Sequence, residues 1–455
     1  MRTFEILILI TLFVRLVGYS FPSLRPSRWM NLLPCMTMLL TVIHLVLEKF
    51  RWPMIPAYGL TLWFFLLSIR WIKQSGRPAG RRPPGRVLIM VGILFRLLIF
   101  TMLAALPILL PVFRLPEPTG QYSVGTTKIY LVDNTRPESF TSDPDDHREL
   151  MVQIWYPARV EPGTRPAPLM EHMPFQFSYL SLVQTHAYQD VPVAKDRPFY
   201  PVLIFSHGHV GFIEQNLTLM EELASQGYIV CSISHPYHTI LTVFPDGRSI
   251  PADSILANNF LKGISPPSDI YAEHLHIWTD DTSFLMDELE KIQAGDMENP
   301  LAGKLDMTRI GILGQSFGGV TAVQVCSVDE RCKAGISLDS GLPGGLNAPL
   351  KQPFMFMLNE SATYYLKSNL WAIENTAYGI QVRGSTHFNF TDLALYSPVT
   401  RFTGSFGSID ANRMVRIINA YSLAFFNEYL KDEMSPLLDG PSVDYPEVTI
   451  TIRNP

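Results

Sequence analysis

The stretch Arg309–Val320, RIGILGQSFGGV, constrains this chain more than any other. Ile310, Ile312 and Leu313 make a short apolar run of the kind that becomes a buried strand, and Ser316 follows between Gly314 and Gly318. A serine on a sharp strand-to-helix turn needs glycine two residues to either side, because the backbone closes there and a Cβ would clash. The turn pushes the hydroxyl outward. The helix expected from Gly319 to Cys326 aims its first N–H groups at the same spot, where they favour an anionic intermediate. The rival reading is a coincidental Gly-x-Ser-x-Gly in a glycine-rich turn, and the strand in front of it argues against that.

At 455 residues the chain is too long for one compact core. Hydrophobic residues make up 47% of it, and the excess lies in the first 115 positions. Four apolar runs, Phe4–Phe21, Asn31–Glu48, Pro56–Ile72 and Val87–Phe113, are each about 17 residues or longer, which predicts four transmembrane helices. A signal peptide would explain only the first, which carries Glu5 and no small-residue cleavage pattern. The loop holding Lys73, Arg77, Arg81, Arg82 and Arg86 has no acid, so positive-inside bias puts it in the cytoplasm and everything after Leu115 outside. Arg25 and Arg28 agree with that orientation, whereas Lys49 and Arg51 pull the other way. Arg15 and Arg96, inside the runs, read as snorkelling or helix-pairing residues rather than a transport pathway.

A net charge of −5 with no basic stripe beyond the membrane loops excludes a nucleic-acid partner. Cys35 and Cys231 read as small buried hydrophobes, while Cys326 and Cys332 leave a local disulfide open in an oxidising compartment. Past a Pro-rich linker, Thr127–Val132 and Leu150–Tyr156 read as an antiparallel pair. Strands at Pro201–Ser206, Tyr228–Ile233, Arg309–Leu313, Ala334–Leu338, Pro353–Leu358 and Tyr378–Val382 then alternate with helices at Ile213–Ser225, Asp269–Ala294, Gly319–Cys326 and from Asp410 onward. His235–Pro267 reads as irregular. Alternation implies parallel pairing. The expectation is an α/β fold with a mixed, mostly parallel sheet after an all-α membrane region. Its divisions are 1–115 for the membrane region, 116–148 for linker and first strand, 149–435 for an α/β-hydrolase domain and 436–455 for a tail.

A serine hydroxyl needs a base, and the base needs an orienting acid. In an α/β-hydrolase they follow in the order Ser, acid, His, each just past a strand end. His387 is the only histidine after Ser316, and Asp339 closes the strand Ala334–Leu338, with Asp392 in reserve. Oxyanion donors are expected from the N–H of Phe317 and, in the turn SHGHVG, that of His209. A metal reading of His207, His209, His235 and His238 lacks a further ligand at matching spacing. No cofactor or metal is expected. Phe212, Leu342, Phe388 and Phe390, close to these residues in sequence, are the expected pocket lining.

The set FSHGHVG, GQSFGG, SLDSG and GSTHFNFTD resembles the platelet-activating factor acetylhydrolases of the plasma and type II kind, with their bacterial relatives. The resemblance spans about Gly120–Leu430 and implies Ser316 as nucleophile, Asp339 as acid, His387 as base and the amides of Phe317 and His209 as oxyanion donors. Gln315 stands where the family usually has histidine, SGLPGG replaces a bulkier aromatic turn, and the secreted members have no membrane runs. The implied protein is a membrane-anchored serine esterase for short acyl esters of lipids. It would be a multi-pass bacterial inner-membrane protein with its hydrolase domain on the periplasmic side. Two readings compete: a general carboxylesterase or polyester hydrolase, and a non-catalytic membrane protein with a hydrolase-like binding domain. Partners are a lipid or small ester and the membrane; oligomeric state is not legible.

Overall fold

A computed structural model describes residues 1–21, 28–73, 86–171, 175–342 and 350–455. The chain divides into two compact units. One is Met1–Arg114 with Pro168–Val183 and Tyr396–Val399, and the other is the remainder.

The first unit is helical: α1 (Thr3–Gly18), α2 (Arg28–Leu47), α3 (Ile55–Lys73) and α4 (Arg86–Leu109). Among the described residues three helical stretches, Arg28–Leu47, Trp52–Lys73 and Val87–Leu109, are long and apolar enough to cross a membrane, not the four expected. α1 has 16 residues, about 24 Å of helix, and carries Glu5 and Arg15 in buried positions. Glu5 pairs with Arg51 at 2.9 Å, and Arg51 also donates to the Pro107 carbonyl at 2.8 Å, tying α1 and α4 to the α2–α3 link. Arg96 donates to Ser20 Oγ at 3.2 Å, so it serves as a helix-pairing residue. Arg25, Arg77, Arg81 and Arg82, which carry the topology expectation, lie outside the described residues.

The second unit is built on one ten-stranded sheet. In chain order its elements open with β1 (Ser123–Pro137), β2 (His147–Ala158), β3 (Ala187–Gln189) and β4 (Tyr200–Ser206). Next come α5 (Leu217–Ser225), β5 (Ile229–Ser234), the hairpin β6 (Leu241–Val243) and β7 (Ser249–Pro251), α6 (Ser254–Leu261) and α7 (Ser268–Ala294). Strand β8 (Leu305–Gln315) leads into α8 (Phe317–Val328), β9 (Cys332–Leu338), β10 (Phe354–Asn359), α9 (Thr363–Trp371) and β11 (Ala377–Val382). The four-residue α10 (Leu393–Tyr396), α11 (Ala411–Lys431) and β12 (Val448–Arg453) complete the chain. Spatial order is β12-β11-β10-β9-β8-β4-β5-β2-β1-β3. The run from β11 to β5 is parallel, and β2 and β12 flank it antiparallel.

Two expected boundaries move. In 116–148 the expected first strand is present as β1, antiparallel to β2, but it starts at Ser123, and the stretch before it is docked, with Thr119 N–H donating to Glu222 Oε2 of α5 at 2.8 Å. The 436–455 tail supplies β12, an edge strand in register with β11 from Ala377 to Val382. His235–Pro267 is likewise not irregular, since it holds the β6–β7 hairpin and α6.

Successive strand residues face opposite sides of a sheet. Ile310 and Ile312 share a core with Leu285, Leu289, Ala322 and Val323 of α7 and α8, whereas a Cβ at Gly311 would meet Phe426 and Leu430 of α11. α7 and α8 therefore cover one face and α11 the other, which leaves the C-terminal ends of the parallel strands free to carry a site. A Cys326–Cys332 disulfide closes the short loop from α8 to β9.

Candidate active site

Ser316 follows the last residue of β8 with φ 55° and ψ −120°, a conformation that costs a non-glycine residue of order 1–3 kcal/mol and is found where function requires it. The flanking glycines are obligatory. A Cβ at Gly318 would sit 2.0 Å from the Ser206 carbonyl oxygen of β4, and one at Gly314 would sit 2.2 Å from the Gly318 backbone. The elbow is pinned by Ser316 N–H donating to the Leu338 carbonyl (2.9 Å), while the Ser316 carbonyl accepts from Gly319 N–H (2.9 Å).

Asp339 directly follows β9, also at positive φ (55°), with its N–H on the Met357 carbonyl at 2.7 Å. His387 opens a 3-10 turn (His387–Phe390) beyond β11, and Asn389 Oδ1 anchors that turn by accepting from Thr386 N–H (2.9 Å) and Gly407 N–H (2.7 Å). The three residues meet in one string. His387 Nδ1 lies 2.7 Å from Asp339 Oδ2, and His387 Nε2 lies 3.0 Å from Ser316 Oγ. A carboxylate only accepts, so Nδ1 carries the proton and Nε2 presents its lone pair to the serine hydroxyl. The Asp339 carboxylate is nearly sealed from solvent (3% exposed) while the imidazole is 41% exposed.

Asn359 was not singled out from the sequence, yet it completes the string. Its N–H and side-chain amide donate to Asp339 at 2.7, 2.9 and 2.9 Å. Its place at the end of the neighbouring strand is the signal that could have found it. Gln315 also touches the site, with Nε2 3.4 Å from His387 Nε2 and Oε1 accepting from Gln215 at 2.9 Å. Among the described residues no Lys or Arg pairs with Asp339.

Phe317 is the first residue of α8, so its N–H is one of the helix's orphan donors. The turn after β4 runs beside it: a Cβ at Gly208 would lie 3.3 Å from that of Ser316, and the His209 ring stacks on Phe317 at 3.7 Å between centroids. Both expected oxyanion residues thus border the serine. Burial pushes the imidazole of His209 down to about 3, so its ring is neutral.

A cleft of about 760 Å³ opens over Ser316. His209, Phe317, Asp339, His387 and Phe388 form its floor, and Leu256, Phe260, Leu261 and Ile264 from α6 and the turn behind it form an apolar wall with Tyr271 of α7. Of the four expected pocket residues only Phe388 is there. Phe390 is fully buried because the 3-10 turn sends Asn389 and Phe390 inward and leaves His387 and Phe388 facing out. Leu342 packs on the main core, and Phe212 stands outside the cleft lining. The reserve acid Asp392 is elsewhere too, accepting from Thr218 N–H (2.8 Å) and Oγ (2.6 Å) at the start of α5. Among the described residues no group of three His, Cys, Asp or Glu side chains is arranged to hold a metal ion.

A mostly parallel sheet with a serine elbow between strand and helix, an acid and a histidine on later strand ends, defines an α/β-hydrolase. The family described as platelet-activating factor acetylhydrolase, isoform II, matches residues 110–246 and 287–437, and the chain belongs to that family. It is a carboxylic ester hydrolase. Platelet-activating factor acetylhydrolase of Cavia porcellus is 26% identical over 374 residues, covering 74% of this chain and 84% of its own length. A probable 1-alkyl-2-acetylglycerophosphocholine esterase of Arthroderma benhamiae is 26% identical over 388 residues, 74% of this chain and 93% of its own. The solved ferulic acid esterase of Streptomyces cinnamoneus superposes with a TM-score of 0.64 at 26% identity, covering 75% of this chain and all of that one.

Proposed function

We propose that Ser316, His387 and Asp339 carry out acyl transfer from an ester to water. The observation that carries this reading is the hydrogen-bonded string from Ser316 Oγ through His387 to Asp339 at the floor of the cleft. Ser316 Oγ attacks the ester carbonyl carbon as its proton passes to His387 Nε2. The carbonyl oxygen becomes an oxyanion facing the N–H groups of Phe317 and His209, and Asp339 balances the imidazolium. Collapse of the tetrahedral adduct breaks the bond to the alcohol, which leaves with the proton from Nε2. A water then attacks the acyl-serine, gives its proton to His387, and returns Ser316 as the acid departs. Replacing Ser316 with alanine should lower ester hydrolysis by several orders of magnitude with the fold intact; activity within about tenfold of wild type would end this reading.

The substrate proposed is a lipid ester with a short acyl group. The names of the relatives, the apolar wall of the cleft and the bulk of Phe317 and Phe388 beside Ser316 support it. Rates on p-nitrophenyl esters should fall beyond about six acyl carbons, and a steady rise to palmitate would contradict that. Because one relative is a ferulic acid esterase, methyl ferulate belongs in the same series. A preference for it would favour the general carboxylesterase. The apolar helices of the first unit support anchoring in a membrane, and the basic, acid-free sequence from Lys73 to Arg86 supports an extracytoplasmic hydrolase unit. A cysteine introduced at Thr119 should then be labelled by an impermeant maleimide in intact cells; labelling only after permeabilisation would reverse the orientation.

A further inference from the structure

A second Ser–His–Asp string lies behind the first. Asp281 and Trp278 stand three residues apart on α7 and share one helix face. Between them they grip His235, the residue after β5. Trp278 stacks on its ring at 3.9 Å with the planes 10° apart, and Asp281 Oδ2 accepts from its Nδ1 at 2.9 Å. His235 Nε2 is therefore the acceptor for Ser206 Oγ, 3.2 Å away at the end of β4. Arg148 closes the far end with two bonds to Asp281 (3.0 and 2.7 Å), and Arg136 adds a third at 3.0 Å.

No substrate reaches this string, since Ser206 is 2% exposed and His235 and Asp281 are 0% exposed. What it touches is the oxyanion turn. Ser206 is followed at once by His207, Gly208 and His209, and its own carbonyl is wedged against Gly318. Trp278 also meets Phe317 edge-on at 4.9 Å and lies 5.7 Å from the His209 ring, so one indole buttresses both residues proposed as oxyanion donors.

We infer that Trp278, Asp281, His235 and Ser206 are positioning residues that set the spacing of the two oxyanion donors. The inference rests on the cleft reading above. An oxyanion donor acts only when it sits about 2.7–3.1 Å from the developing charge, and losing one outright costs about 10²–10³ in kcat. Loosening the turn should cost less and should act on the transition state alone.

The test uses the full chain with p-nitrophenyl acetate, active-site titration, and a boronic acid whose tetrahedral adduct occupies the oxyanion position. Trp278→Leu and His235→Gln should lower kcat per titrated site by about 10- to 100-fold, with KM within about twofold and boronate affinity weakened by a similar factor. Trp278→Phe should restore most of the loss, and Ser206→Ala should cost about three- to tenfold. A merely structural role would lower the titratable fraction or the thermal midpoint and leave kcat per site and boronate affinity untouched, and that result would overturn the inference. Where His235→Gln fails to accumulate, Ser206→Ala decides, because it removes a single oxygen. If Ser316→Ala remained active, the cleft reading would fail. If Ser316→Ala is inert while the four variants keep full kcat per site, only the positioning inference falls.

Discussion

The two Ser–His–Asp strings have matching chemistry and nearly matching distances, 3.0 and 2.7 Å in the cleft against 3.2 and 2.9 Å behind it. Their surroundings separate them. Ser316 sits on a strained elbow at positive φ, while Ser206 is an ordinary strand residue. Asp339 is held by amides of Asn359 and pairs with no cation among the described residues, so its charge is free to balance an imidazolium. Asp281 has its charge taken up by Arg148 and Arg136. Although burial alone would raise its carboxyl, Arg148 and the hydrogen bond from His235 hold it far below the usual carboxylate range. Burial in turn pushes the imidazole of His235 down. A triad is therefore defined by strain, exposure and uncompensated charge as much as by the three residue types.

The sharpest way to break this comparison is to remove one member from each string. Asp339→Asn should lower kcat by about 10⁴, since it fixes the wrong tautomer of His387, yet shift the denaturant midpoint by less than about 1 kcal/mol of stability. His387→Ala should cost about 10³–10⁴ in kcat, again with an unchanged midpoint. Asp281→Ala should combine a smaller kcat loss, about 10- to 100-fold as for His235→Gln, with a destabilisation of about 3–5 kcal/mol, because Arg148 stays buried with Glu138 as its one remaining ion partner among the described residues. Equal stability losses in Asp339→Asn and Asp281→Ala would erase the distinction.

A pH series sharpens it further. Burial pushes His207 and His209 down to about 3, and His235, His238 and His274 are also lowered by burial. Unfolded, these rings take up protons near pH 6.5. The contribution of His207 and His209 to stability is present above about 6.5 and is lost as pH falls toward about 3, by up to about 1.4 kcal/mol per pH unit for each ring, and His235, His238 and His274 act in the same direction. Unfolding near pH 5 should accordingly be accompanied by uptake of several protons, measurable from the slope of stability against pH. The smallest effect has the opposite sign. Burial raises Asp392 to about 7, so its contribution is present below about pH 4 and fades as pH rises through about 7. Asp392→Asn should flatten that limb without touching kcat.

Chain order alone singles out Ser316, Asp339 and His387, because the elbow fixes one and strand ends fix the others. The cleft wall is not legible in that way. α6, SILANNFL, buries only Leu256, so it carries no clear helical stripe. Phe390 and Leu342 are near His387 and Asp339 in sequence, but proximity along a turn does not tell which side chains face the core. β12 did carry a signal, the β-branched run Val448-Thr449-Ile450-Thr451-Ile452, which is strand-like by composition. The buried string is the least legible feature. Arg148, Ser206, His235 and Asp281 come from four separate stretches of the chain, and no local pattern marks them as one group.

The most direct measurement is mass spectrometry of the protein after reaction with a fluorophosphonate. The account predicts one adduct, on the peptide containing Ser316, its formation abolished by Ser316→Ala and slowed by His387→Ala. An adduct on Ser206, or undiminished labelling of the Ser316→Ala protein, would contradict it.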